Sequence, residues 1–278
     1  MDGSKLAGAA WSFVGTDLVE SANIWRALEI ESMDLLAIPG ASVDAQEIDR
    51  DPQGQARRFK EPGMNLSNLL YIFGADFADR AINSSDASVR ARNTDTLKNV
   101  LECCNAADIP SLLILPGVDQ PDMSHDDALA LSAEVITEMT SVATEASVLL
   151  IFEPHVESIL ESPSETLGFL QQHPDLKIAL DYAHFIAQGY GCSDVDPLVP
   201  YTGHFHLRQG ANKQLQARWE EGEIDFVEVV GNLQEAGYDG YLTLEYEHEP
   251  GWMDMDKVDV MTETIKMRNT VKPLLGGK

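Results

Sequence analysis

Short apolar runs alternate with longer amphipathic segments along this chain. That alternation predicts repeated βα units packed around a parallel sheet. Residues 6–13, 33–38, 64–73, 111–115, 148–152, 177–180, 201–207 and 241–244 read as strands. The second and fourth are stopped by Pro39-Gly40 and Pro116-Gly117. Helical periodicity covers 17–30, 86–107, 126–145, 164–172, 224–236 and 257–275. Thr16 stands where an N-cap belongs for the first helix, and Ser84-Ser85-Asp86 opens the second, which ends before Pro110. The polar stretch 42–62 reads as a long loop with room for one short helix, and long βα loops in barrels commonly carry function. The expected fold class is α/β, a single (β/α)8 TIM barrel in which residues 1–278 form one domain and no linker divides it.

Composition narrows the setting. A hydrophobic fraction of 44% suits a chain with a large core. No stretch approaches the roughly 20 apolar residues of a membrane span, so no membrane partner is expected. The start, Met-Asp-Gly-Ser-Lys-Leu, lacks the basic region and apolar core of a secretory signal, and a cytoplasmic location is expected. The three cysteines, Cys103, Cys104 and Cys192, have neither the even count of a disulfide framework nor zinc-ligand spacing, and read as packing residues. Nineteen basic against 46 acidic residues give a net charge of −27. Such a surface repels phosphate backbones, so nucleic acid is not an expected partner.

Four residues in the second half each stand at the end of an apolar run. Glu153 follows Val-Leu-Leu-Ile-Phe, Asp181 follows Ile-Ala-Leu, His206 closes Thr-Gly-His-Phe-His, and Glu245 follows Tyr-Leu-Thr-Leu. Catalytic groups of such barrels sit at the C-terminal ends of strands. Neighbouring strands lie about 4.8 Å apart, so four of them can direct side chains at one cation. Oxygen-rich ligation with one imidazole suits Mn²⁺ best, with Mg²⁺ or Co²⁺ as alternatives, rather than structural zinc. Three carboxylates exceed what one dication needs, which leaves a proton acceptor beside the metal, an arrangement useful for enolisation.

The segments Phe-Glu153-Pro-His, Leu-Asp181-Tyr-Ala-His184, Gly-His204-Phe-His206-Leu-Arg208, Gly222-Glu-Ile-Asp225-Phe226 and Gly237-Tyr-Asp-Gly-Tyr-Leu-Thr-Leu-Glu245 together resemble the sugar phosphate isomerase/epimerase superfamily of xylose-isomerase-like barrels. The resemblance implies that Glu153, Asp181, His206 and Glu245 bind the metal, and that Glu153 and Glu245 exchange protons with a substrate carbon. It implies that His184 hydrogen-bonds a substrate oxygen, and that Arg208, where the family often has Lys, steadies an enediolate oxygen. It also leaves room for a homo-oligomer. There are departures. Gln209 stands where the family often has Asp, and Ile159 where ketose 3-epimerases carry a further glutamate. His155, two residues after Glu153, falls on the same strand face. Some relatives that cleave glycosidic C–C bonds after oxidation of the sugar place a histidine near here as base.

The expected activity is therefore that of a divalent-metal-dependent isomerase or epimerase of a keto-sugar or related polyol, a small-molecule carbohydrate. It proceeds through proton abstraction by Glu153, Glu245 or His155 and a metal-stabilised enediolate. The alternative is a dehydratase or lyase of a keto-cyclitol or 3-keto-glycoside, including C-glycoside cleavage, with His155 as base. An apurinic-site endonuclease needs histidines from the second and third strands, where Ile38-Pro39-Gly40 and Ile72-Phe73-Gly74 offer none. A non-catalytic sugar-binding barrel is the remaining reading. Trp11 reads as an apolar wall for a sugar ring or as core, and Arg208 alternatively as the partner of a surface acid. Trp219 and Trp252 read as parts of a substrate lid, His204 as a supporting or core residue, and Glu247 and Glu249 as solvated.

Overall fold

Strands covered by helices on their outer side and by each other's side chains within must be buried on both faces, and these are. In the computed structural model, which describes residues 5–248, 253, 255 and 258–276, eight parallel strands close into a barrel in sequential order. They are β1 (Leu6–Ala9), β2 (Ser32–Ala37), β3 (Asn65–Tyr71), β4 (Ser111–Ile114), β5 (Leu149–Phe152), β6 (Ile178–Leu180), β7 (Thr202–Leu207) and β8 (Leu242–Leu244). The barrel closes between β1 and β8, with Ala7 opposite Thr243. The outer elements are α1 (Leu18–Ala27), α2 (Ala45–Arg50), α3 (Pro52–Lys60), α4 (Ala87–Ala107), α5 (His125–Glu145), α6 (Pro163–Gln172), α7 (Tyr182–Ile186), α8 (Cys192–Val195), α9 (Phe226–Glu235) and α10 (Val260–Leu275). None of the described helices is long and apolar enough to cross a membrane.

The (β/α)8 expectation holds, with local corrections. β1 stops at Ala9, so Trp11 lies in the turn beyond the strand rather than on it. The first helix is capped by Asp17, not Thr16: Asp17 accepts from Val19 and Glu20, and Glu20 accepts from Asp17 N–H. The stretch expected to be mainly loop holds two helices, because Asp44 caps α2 and Asp51 with Pro52 starts α3 at once. The start expected for the last helix at residue 257 lies outside the described residues.

Among the described residues, seven helices begin at an aspartate whose carboxylate accepts backbone N–H groups: Asp17, Asp44, Asp51, Asp86, Asp181, Asp225 and Asp259. Each also complements the positive end of its helix dipole. Part of the acidic excess therefore stabilises the fold.

Alternate residues of each strand point into the barrel. Toward the mouth, the inward positions of β2 to β4 and their extensions are aliphatic. Leu36, Ile38, Leu70, Ile72, Leu113 and Leu115 belong to an apolar cluster distinct from the main core between strands and helices. The inward positions at the ends of β5 to β8 carry charge instead. Deeper in the barrel lies a polar layer of Asp34, Asn68, Ser111, His204 and Thr243, all buried. There Ser111 Oγ donates to Asn68 Oδ1 at 2.8 Å, and His204 Nε2 lies 2.7 Å from Asp34 Oδ2 and 3.0 Å from Thr243 Oγ1.

Gly8 on β1 is where Trp25 of α1 seats. A Cβ there would stand 2.1 Å from the indole, which is fully buried and donates its Nε1–H to Ala9 O. Gly8→Ala should lower stability by roughly 1–3 kcal/mol in chemical unfolding, because a rigid, hydrogen-bonded ring must shift.

Candidate active site

The charged half of the mouth is assembled by backbone bonds that extend each strand past its last regular residue. Glu153 N donates to Ile114 O at 3.2 Å and Glu245 N to Leu207 O at 3.0 Å, which fixes both carboxylates at the barrel rim. Asp181 caps α7 through Ala183 N, and His206 lies within β7 opposite Thr243. All four residues predicted to hold the metal converge. His206 Nδ1 lies 2.9 Å from Glu153 Oε1 and 3.1 Å from Glu245 Oε2. Asp181 joins through Arg208, whose Nε donates to Asp181 Oδ2 at 2.8 Å.

One Nδ1–H can donate to one carboxylate. Glu245 Oε2 is accordingly buried without a hydrogen-bond donor. Leaving such an acceptor unsatisfied costs about 1–3 kcal/mol, and more for a charged group. Two carboxylate oxygens and a ring nitrogen within 4.8 Å of one another are a ligand set for one cation, and Glu153, Asp181 and His184 form a second such triad sharing Glu153. The donor chemistry and the orphaned oxygen fit a dication.

Charge and burial set the protonation. Burial disfavours charge on His206, yet Glu245 and Glu153 raise its pKa well above the imidazole range. Burial also pushes Glu153 up, but His206 prevails and holds it down at about 2. Burial raises Asp181 to about 6, with Glu245 and Glu153 adding to the rise against Arg208. It remains ionised at neutral pH, as its bonds from Arg208 require. His184 is held neutral by burial and by Arg208, whose Nη2 lies 2.9 Å from its Nε2. His155 is also pushed down by burial. Its Nδ1 contacts Val156 O, a carbonyl that only accepts, so Nδ1 carries the proton and Nε2 keeps its lone pair.

These residues border a cavity of about 550 Å³ that includes Trp11, Glu153, His155, His184, Arg208 and Glu245, so the predicted substrate-side residues do come together. Trp11 stands edge-on to His206 with ring centroids 6.4 Å apart. Arg208 pairs with buried Asp181 and half-buried Glu247, not with a surface acid. Glu247 borders the cavity rather than standing solvated. Trp219 is no lid: its ring stacks on Phe226 and its backbone N–H donates to Glu263 Oε2 at 2.7 Å. Trp252 and Glu249 lie outside the described residues. Ile159 is core, and Gln209 braces Ile224 through both its amide atoms.

Sequence reasoning missed Asp34. It is fully buried below His206, its Oδ2 2.7 Å from His204 Nε2 and 3.7 Å from His206 Nε2, and Ser67 Oγ donates to its Oδ1. Burial opposes its charge, but His204 and His206 hold its pKa far below the carboxylate range. The available signal was an acid inside the apolar run Met33-Asp34-Leu35-Leu36.

A model of the xylose isomerase-like TIM barrel family matches residues 26–269. The chain belongs to this family. Among solved structures, D-psicose 3-epimerase from Clostridium cellulolyticum H10, crystallised with D-tagatose, superposes on this xylose isomerase-like barrel with a TM-score of 0.75 at 18% identity, covering 98% of this chain and 100% of that one. The IolI protein with a bound zinc atom gives 0.73 at 14% identity, covering 98% of each chain. At these identities the likeness speaks for the fold. A Xenopus laevis protein named "Putative hydroxypyruvate isomerase" is 28% identical over 114 residues, 38% of this chain. The chain thus spans about 40% of the length of that curated relative.

Two outcomes follow from this geometry. A metal taking Nδ1 of His206 must displace a proton, so Mn²⁺ binding at neutral pH should release protons, and affinity should fall as pH is lowered. Calorimetry in buffers of different ionisation enthalpy reads this directly, and a buffer-independent heat would contradict it. Asp34→Asn should weaken metal affinity by about 10–100-fold with the fold retained, because the charge that orients the two rings is lost.

Proposed function

We propose that this xylose isomerase-like barrel is a divalent-metal-dependent isomerase or epimerase of a keto-sugar or related polyol. The observation that carries the reading is the pair Glu153 and Glu245, held 2.9 and 3.1 Å from His206 Nδ1 beside a cavity large enough for a sugar. Glu153, Asp181, His206 and Glu245 are the proposed ligands, and Mn²⁺ the proposed metal, with Mg²⁺ or Co²⁺ as substitutes. The zinc atom bound in the IolI protein makes zinc a further ion to test. A bound dication supplies Lewis acidity, which acidifies the C–H beside a substrate carbonyl.

In this mechanism one of Glu153 and Glu245 takes that proton and the other returns a proton to the opposite face or to the neighbouring carbon. Arg208 borders the cavity and supplies positive charge beside the oxygen that gains negative charge in the enediolate. His184, neutral, orients a substrate hydroxyl. Trp11 walls the ring. Positioned acid–base groups of this kind contribute about 10²–10⁴-fold in rate. The D-psicose 3-epimerase with its bound ketose supports a carbohydrate substrate.

His155 supports a second reading. Its unprotonated Nε2 and its place at the cavity suit the base of a dehydratase or lyase that expels a β-substituent from a 3-keto-glycoside or keto-cyclitol. Keto-sugars incubated in D₂O with Mn²⁺ separate the two: deuterium uptake without loss of a group means isomerisation, and an enone absorbance means elimination. Glu245→Gln should abolish turnover with unchanged circular dichroism and unfolding midpoint. A fully active Glu245→Gln enzyme would overturn the assigned roles.

A further inference from the structure

β8 ends at Leu244, and the bond from Glu245 N to Leu207 O joins it to β7 one residue further. Beyond that point the chain leaves the sheet, and the backbone N–H and C=O of Glu247 need partners from elsewhere. One side chain supplies both. Gln216, in the loop after β7 and 1% exposed, accepts from Glu247 N at 2.8 Å, and its Nε2 donates to Glu247 O at 2.7 Å. The same Nε2 donates to Met255 O at 3.0 Å, so both amide hydrogens and the amide oxygen are engaged. An amide placed this way does for residue 247 what a neighbouring strand would do. Tyr246 adds a second tie: its hydroxyl accepts from Gln209 N at 3.1 Å and donates to Ala217 O at 3.3 Å.

The backbone held here carries a carboxylate that reaches the site. Glu247 Oε1 accepts from Arg208 Nη1 at 3.0 Å, and both residues border the cavity. The other side of the guanidinium faces the proposed metal ligands, with Nε 2.8 Å from Asp181 Oδ2 and Nη2 3.6 Å from Glu245 Oε2. Arg208 is thus drawn toward those carboxylates on one side and held by Glu247 on the other. A guanidinium is planar and its donors form a fixed fork, so anchoring Nη1 fixes the direction of the whole group.

We infer that Gln216 is a positioning residue of this site: its amide fixes the backbone of Glu247, and the Glu247 carboxylate in turn sets the direction of the Arg208 guanidinium. What Arg208 does there rests on the isomerase reading above, whereas the relay that aims it does not.

The test reads Arg208 directly. In protein labelled with ¹⁵N-arginine, with Arg208→Lys for assignment, its Nη1 protons should appear as separate, slowly exchanging signals. Gln216→Ala should average them by rotation, and Glu247→Ala should do the same. Asn99→Ala, which removes two side-chain bonds between α4 and Asp49 of α2, should leave them unchanged. Glycolohydroxamate, a planar anion shaped like an enediolate, should bind Mn²⁺-loaded Gln216→Ala about tenfold more weakly than the unaltered protein. Added to Glu247→Ala, the same change should weaken binding by less than about twofold, because the relay is already cut. Where Gln216→Ala fails to fold, Gln216→Glu takes its place. That variant keeps an acceptor for Glu247 N–H, loses the donors to both carbonyls, and should average the Arg208 signals likewise. Unchanged Arg208 signals in a folded Gln216 or Glu247 variant, or full additivity of the two changes, overturn the inference. A hydroxamate that fails to bind the unaltered protein counts against the isomerase reading and leaves the spectral comparison to decide the relay, so the two failures are distinguishable.

Discussion

Buried negative charge needs positive charge within hydrogen-bond reach, and the rim of this barrel is built around that requirement. Glu153, Asp181 and Glu245 are each nearly inaccessible to solvent, and Asp34 lies fully buried below them. Against these four carboxylates stands Arg208, with His206 protonated between Glu153 and Glu245. A mismatch remains at Glu245 Oε2 and at His206 Nε2, both buried without a hydrogen-bond partner. A dication proposed at this point would satisfy that oxygen and replace the proton on His206. On that proposal, the site would exchange one form of positive charge for another.

Beneath the rim, support for His206 comes from the strands on the opposite side. Asp34 of β2 reaches across the barrel to His204 and His206 of β7, and Thr243 of β8 holds His204 in turn. The register between β2 and β3 shifts at Met33/Asp34, so that Asp34 pairs with Asn68 while Ser67 donates to its carboxylate. A bulge at this depth re-aims a hydroxyl that strict alternation would send outward. The polar layer is buried and orients the rings above it.

The two halves of the mouth divide the labour. Charged ends of β5 to β8 face aliphatic ends of β2 to β4, and the apolar half lowers the local dielectric in which the carboxylates act. This division also explains why neighbours in one cavity titrate in opposite directions. His206 gains charge from two adjacent acids, whereas His155 and His184, turned toward carbon or Arg208, stay neutral.

The sequence by itself determined the strand count, the helices α1, α4, α5, α6, α9 and α10, and the four strand-end residues, but not the short α7 and α8, because periodicity and the polar residue closing an apolar run are local properties. It likewise exposed Asp86 as a helix start and Pro39-Gly40 as a strand stop. It misjudged Trp219, Glu247 and the stretch 42–62, where polarity looked like exposure and Asp51-Pro52 was not read as a helix start. Only the tertiary structure decided that Asp34 lies under His206, since the two are 172 positions apart in sequence and are joined solely by barrel closure and register. It also decided that Arg208 pairs with Asp181 and Glu247, and that charged ends of β5 to β8 share one cavity with aliphatic ends of β2 to β4. Those are relations between strands, and a one-dimensional pattern contains residue types but not which of them will face each other.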